Sequence, residues 1–130
     1  MGVPGFLLAS TLNTSVAQRL LRVLCPHCKQ EQSFDEKLFP RNFKPFRKVN
    51  NHFQPKGCSQ CFFTGYKGRK AVYEVIPIDA ILSDEIKKNN NDIAALLKER
   101  NIKTLAENAF QLFENGTTSI DEIYPLLFNY

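Results

Sequence analysis

A chain of 130 residues suffices for one ordinary domain, or for a small domain attached to a smaller one. Its 43% hydrophobic and 23% charged residues exclude a disordered polar chain, and no apolar run approaches the roughly 18–20 residues of a membrane-spanning helix. The net charge of +4 hides a segregation: residues 1–36 balance three bases against three acids, residues 37–73 carry nine bases and no acid, and residues 74–130 carry five bases and ten acids. A basic middle beside an acidic tail implies either an anionic partner for the middle or attraction between the two, within the molecule or its oligomer.

The opening MGVPGFLLASTL lacks the basic flank of a signal peptide, and Pro4 and Gly5 interrupt it, so a cytosolic address is expected. Ala9, Leu12, Val16, Leu20 and Val23 recur at helical spacing across residues 6–24, which favours a helix. Val16, Gln18 and Leu20 fit a strand equally well, and periodicity alone does not decide. Residues 25–68 hold four of the seven prolines and little periodicity. This loop-rich stretch cannot close a core by itself, so something must staple it.

From Arg69 the texture changes. KAVYEVIPI is β-branched and aromatic, and predicts a strand over Arg69–Ile78. Helices follow: Ile81, Leu82 and Ile86, then Ile93, Leu96 and Leu97, then Leu105, Ala109, Leu112 and Phe113 each place an apolar stripe on one face. Gly116 suits a C-terminal cap, and KKNNND (87–92) reads as an exposed loop between helices. Ser119 with Glu122 has the spacing of a capping box for a last helix, which Pro125 should bend or shorten.

The chemistry concentrates in four cysteines, Cys25-x2-Cys28 and Cys58-x2-Cys61, with 29 residues between the pairs. Each CxxC sets two thiolates on one tight turn, and two such turns complete a tetrahedron around a metal ion. Four soft ligands with none left over predict a closed structural zinc site rather than a catalytic one. Zinc would make roughly 10–16 kcal/mol of apparent binding free energy available for folding the loop-rich stretch. Iron in a rubredoxin-like site is a rival, although such knuckles usually carry glycine where Lys29 and Phe62 stand here. A redox CxxC is disfavoured by the second pair and by the lack of a βαβ pattern before it. With four thiolates His27 and His52 are superfluous as ligands, and His27 reads as an exposed turn residue.

No GxxxxGK[ST], HExxH or GxSxG motif is present. TGYKGRK has glycines and cations that suit phosphate, but it precedes a strand, so it reads as a turn. PRNFKPFRKVNNHFQPK interleaves five cations with three phenylalanines. That composition keeps open a zinc-ribbon-like nucleic-acid-binding module over residues 37–73, or attraction to anionic lipid headgroups.

Taken in order, MGVPGFLLASTL, AQRLLRVLCPHCK, GCSQCFFTGYKGRKAVYEVIPID and IKTLAENAFQLFENGTTSIDEI resemble the C-terminal end of the type II secretion and type IV pilus assembly ATPases. These are hexameric P-loop motors with a tetracysteine zinc subdomain inserted late in the ATPase domain. The resemblance covers nearly the whole chain and makes Cys25, Cys28, Cys58 and Cys61 the zinc ligands. Gln18, Arg19, Gly65, Gly68, Arg69 and Glu74 match recurrent family positions. It implies an α+β fragment: the end of an ATPase core over 1–24, the inserted zinc subdomain over 25–68, a return strand over 69–78 and a helical C-terminal subdomain over 79–130. It also replaces the helix over Thr14–Leu24 with a strand antiparallel to Arg69–Ile78.

Departures are Phe62 and Phe63, where the family often has a smaller, Gly-containing pair, Asn13-Thr14-Ser15 in place of a glycine, and Pro125. The phosphate loop and catalytic arginines of such a motor would lie upstream of Met1. The chain is therefore expected to be a non-enzymatic piece of a larger ATPase, with ATP and magnesium bound only by the parent. Neighbouring protomers and an inner-membrane platform protein are its implied partners, and the cytoplasmic side of the inner membrane its implied place.

Overall fold

The computed structural model describes residues 2–90 and 92–128. In chain order it contains α1 (Gly5–Thr11), β1 (Thr14–Leu24), β2 (Gln30–Ser33), β3 (Asn51–Gln54), β4 (Tyr66–Pro77), α2 (Ala80–Lys87), α3 (Ala94–Glu99), α4 (Leu105–Glu114) and α5 (Ile120–Leu127). One-turn 3-10 helices lie at Glu36–Leu38 and Ser59–Cys61. The helical reading of 6–24 therefore holds only to Thr11; from Thr14 the chain is a strand, as the family resemblance implied. Strand β4 begins at Tyr66, three residues before the position expected from its apolar run.

Strands β1 and β4 form a two-stranded sheet. The Ile78 N–H donates to the Asn13 carbonyl at 2.8 Å, and the Cys25 N–H donates to the Gly65 carbonyl at 2.9 Å. Low numbers on one strand thus meet high numbers on the other, which makes the pair antiparallel.

Two compact units divide the chain, one running up to Ala17 and again from Tyr73 to Thr104, the other from Gln18 to Val72 and again from Leu105 onward. In the first, α1 packs on α2, and the Ser83 hydroxyl donates to the Ala9 carbonyl at 2.7 Å. Ile76, Leu82 and Leu97 are its buried core, flanked by Ile78, Ile93, Leu96 and Ile102. Asp79 caps α2 by accepting from the Leu82 N–H at 2.9 Å, and Arg100 donates to its other oxygen at 2.7 Å. The 87–92 loop is exposed at every described position, while Asn91 lies outside the described residues.

In the second unit, β2 and β3 pair antiparallel with Gln30 opposite Gln54 and Ser33 opposite Asn51. The intervening chain has no periodicity, yet it delivers Phe39, Phe43 and Val49 to a core completed by Leu21, Val72, Phe110, Phe113, Ile120, Ile123 and Leu127. Phe39, Phe43 and Phe110 meet ring to ring at centroid distances of 5.2–6.1 Å. The loop-rich stretch is closed from outside, by α4 and α5.

Helix α4 ends at Glu114, and Gly116 at φ 68° follows it. The Gly116 N–H donates to Phe113 and the Thr117 N–H to Leu112, the hydrogen-bond pair of a Schellman cap. The expected capping box of α5 is not formed. Ser119 is buried and its hydroxyl shares a 2.8 Å hydrogen bond with that of Tyr66. The Glu122 carboxylate accepts from the backbone N–H and the guanidinium of Arg22 at 2.7–2.9 Å. Both side chains of the motif are engaged by strands β1 and β4 instead. Helix α5 carries Pro125 and ends two residues after it.

Candidate metal centre

Cys25 and Cys28 sit on the turn that leaves β1, where the N–H groups of Cys28 and Lys29 donate to the Cys25 carbonyl at 3.3 and 3.0 Å. Cys58 and Cys61 bracket the second 3-10 turn, and the Phe63 N–H donates to the Cys58 carbonyl at 2.8 Å. These turns bring all four sulfurs within 4.8 Å of one another. The individual separations are 3.8 Å for Cys25–Cys58, 3.8 Å for Cys28–Cys61 and 3.7 Å for Cys58–Cys61. A regular tetrahedron with metal–sulfur bonds of about 2.3 Å has edges of about 3.8 Å. A disulfide would need sulfurs at about 2.05 Å. The cluster has the size of a four-thiolate metal cage.

Backbone donors point at the sulfurs. The Gly57 N–H donates to Cys28 Sγ at 3.3 Å, and the N–H groups of Cys58 and Gly65 donate to Cys61 Sγ at 3.2 and 3.3 Å. Such outer contacts orient ligands and spread thiolate charge. Burial pushes the Cys61 thiol up, but the N–H groups of Cys58 and Gly65 and the neighbouring cysteines outweigh it and bring the group down to about 6. Burial raises Cys28 to about 11, only partly offset by the Gly57 N–H. A divalent cation at the centre would favour deprotonation of all four.

Cys25, Cys28 and Cys61 are buried and Cys58 half-buried, so the donor set faces inward. His27 lies exposed on its turn, as expected. His52 is buried elsewhere, edge-on to Phe34 at 5.0 Å.

Gly65 ties the second knuckle to the sheet. Its N–H reaches Cys61 Sγ, its carbonyl takes the Cys25 N–H, and a Cβ there would fall 2.4 Å from Pro55 Cβ. The glycine of TGYKGRK thus serves the thiolates, and the stretch leads into β4 as the sequence predicts. Sequence reasoning missed the support provided by Arg22, Tyr66, Thr118 and Ser119. Arg22 lies 4.1 Å over the Tyr66 ring, and the Thr118 hydroxyl donates to the Arg22 carbonyl at 2.7 Å. No local spacing signals such a cluster, since its members lie far apart in sequence.

The model of the type II/IV secretion system protein family matches residues 1–125. The chain belongs to that family. Among curated relatives, it is similar to the protein transport protein HofB homolog of Escherichia coli K12, 35% identical over 98% of this chain and 27% of the relative. The type IV pilus assembly ATPase PilB of Pseudomonas aeruginosa is 34% identical over 95% of this chain and 22% of its own length. The type II secretion system protein E of Aeromonas hydrophila is 32% identical over 95% and 25%. This family chain therefore spans about a quarter of the length of the relatives it matches.

Proposed function

We propose that this chain is the zinc-bearing, non-catalytic C-terminal portion of a secretion or pilus-assembly ATPase, and that it couples the hexameric motor to its neighbours. The observation that carries the reading is the set of four inward-facing sulfurs with tetrahedral edge lengths, in a chain of the type II/IV secretion family. Cys25, Cys28, Cys58 and Cys61 would hold the ion, which supplies a rigid crosslink between the end of β1 and the start of β4 and leaves no coordination position open. ATP and magnesium belong to the parent protein. The partners are the rest of that ATPase, adjacent protomers and an inner-membrane platform protein, on the cytoplasmic side.

The nucleic-acid reading is not favoured. The chain belongs to the secretion family rather than to a nucleic-acid-binding one, and Phe39 and Phe43 of the basic stretch are buried against Phe110. Two measurements on the purified chain test the proposal. Elemental analysis should find one zinc per chain, lost in Cys58→Ser, and phosphate release from ATP should stay at background. Stoichiometric iron, or no metal, would overturn the zinc assignment; ATP turnover would overturn the non-catalytic one.

A further inference from the structure

The two most exposed large apolar side chains among the described residues are consecutive: Phe62 at 88% and Phe63 at 77%. Both occupy the left-handed backbone region, with φ of 52° and 61°, where glycine or asparagine would sit with less strain. Their conformation is fixed by the second knuckle. Phe62 and Phe63 donate to the carbonyls of Ser59 and Cys58, and the Phe63 carbonyl lies 2.7 Å from where a Cβ on Gly57 would be. Two aromatic rings are thus carried at unfavourable backbone angles on a rigid turn, without burying either ring. Neither folding nor metal binding needs them there, so the position is explained by something outside the chain.

Charge identifies what. Lys56 precedes the glycine that abuts Phe63, Lys67 follows the tip at the start of β4, and both are exposed. No acid lies anywhere between residues 37 and 73. Five of the ten acids of the C-terminal half, Asp79, Asp84, Glu85, Glu114 and Glu122, are already held in ion pairs within the chain, which leaves fewer of them to meet the tip of a second copy. Exposed rings flanked along the chain by exposed lysines match an anionic bilayer surface, where aromatics enter the interfacial region and lysines meet headgroups. We propose that the Phe62–Phe63 tip is a membrane wedge that docks this chain on anionic phospholipid, with Lys56 and Lys67 taking the headgroups. This goes beyond the motor-coupling reading and fails or holds independently of it.

The test uses the zinc-loaded 130-residue chain and two sets of vesicles, phosphatidylcholine alone and phosphatidylcholine with phosphatidylglycerol. Sedimentation should show binding to the anionic vesicles, weakened roughly tenfold or more in Phe62→Asn/Phe63→Asn and several-fold in Lys56→Gln/Lys67→Gln. Asparagine tolerates the left-handed region, so the double variant keeps its fold, checked by unchanged metal content and melting temperature. The chain has no tryptophan, so Phe62→Trp gives a single indole whose emission should shift to the blue on anionic vesicles. Equal binding of wild type and the asparagine variant, or vesicle binding without an emission shift, would overturn the wedge. A blue shift that follows protein concentration without vesicles would replace the bilayer with a second copy of the chain.

Discussion

His52 faces inward from β3 among Phe34 and Phe113, with its Nδ1 buried and without a hydrogen-bond partner. Burial holds the imidazole below its ordinary value of 6.5, outweighing the attraction of Asp121. In the unfolded chain the same group takes up a proton near 6.5, so as pH falls the unfolded state binds more protons than the native one. The His52 contribution is fully present above that value and is lost as pH drops from about 6.5 toward the lower native one. Denaturant unfolding of wild type and His52→Phe between about pH 7.5 and 5 checks this: the variant should lose less stability over that interval. Parallel pH profiles would show that His52 does not titrate differently in the two states. Nothing in the sequence flagged this histidine, because its burial is created by a helix some sixty residues later.

At the scale of elements, the cap of α4 carries a sharper demand than its composition suggests. Gly116 sits at φ 68°, and an added Cβ would lie 2.5 Å from Cδ2 of Phe53 on β3. Lys29 approaches the same place, donating to the Gly116 carbonyl at 2.7 Å and lying 4.5 Å over the Phe53 ring. Gly116→Ala should therefore destabilise the protein by about 1–3 kcal/mol, read from the denaturation midpoint, through backbone strain plus displacement of Phe53. The glycine was legible in the sequence because helix ends have local chemistry. So were the cysteine knuckles, whose ligand spacing is itself the signal. The α5 capping box misled for the opposite reason: Ser119 and Glu122 had the right spacing, but Tyr66 and Arg22 claim both side chains across the fold. Over residues 14–24 the apolar pattern fits both periods, and only the pairing with β4 decides for a strand. Phe39 and Phe43 gave no periodic signal at all, since an irregular loop can bury rings whenever a helix covers it.

Over the whole molecule, the cysteine cluster and the aromatic core stand apart within the second unit. The four sulfurs form one buried cluster, and the phenylalanines form another with α4 and α5. Chelation should release the knuckles and the β2–β3 pair, with residues 25–61 losing amide dispersion. Helices α2 and α3, whose core is Ile76, Leu82 and Leu97, should keep theirs. Amide NMR spectra before and after a strong chelator give the comparison, and unchanged resonances over 25–61 would rule out a structural metal. Phe110→Ala opens the aromatic core. It should lower stability by about 3–5 kcal/mol while leaving the metal content of the surviving folded fraction intact.

The division of each unit into two separated chain segments also orders events during synthesis. All four cysteines leave the ribosome before Phe110 and Phe113 exist, so the ring core that closes over the irregular loop arrives last. Phe39 and Phe43 therefore stay uncovered on every nascent copy until α4 has been made, and that interval is where the chain would call on chaperones.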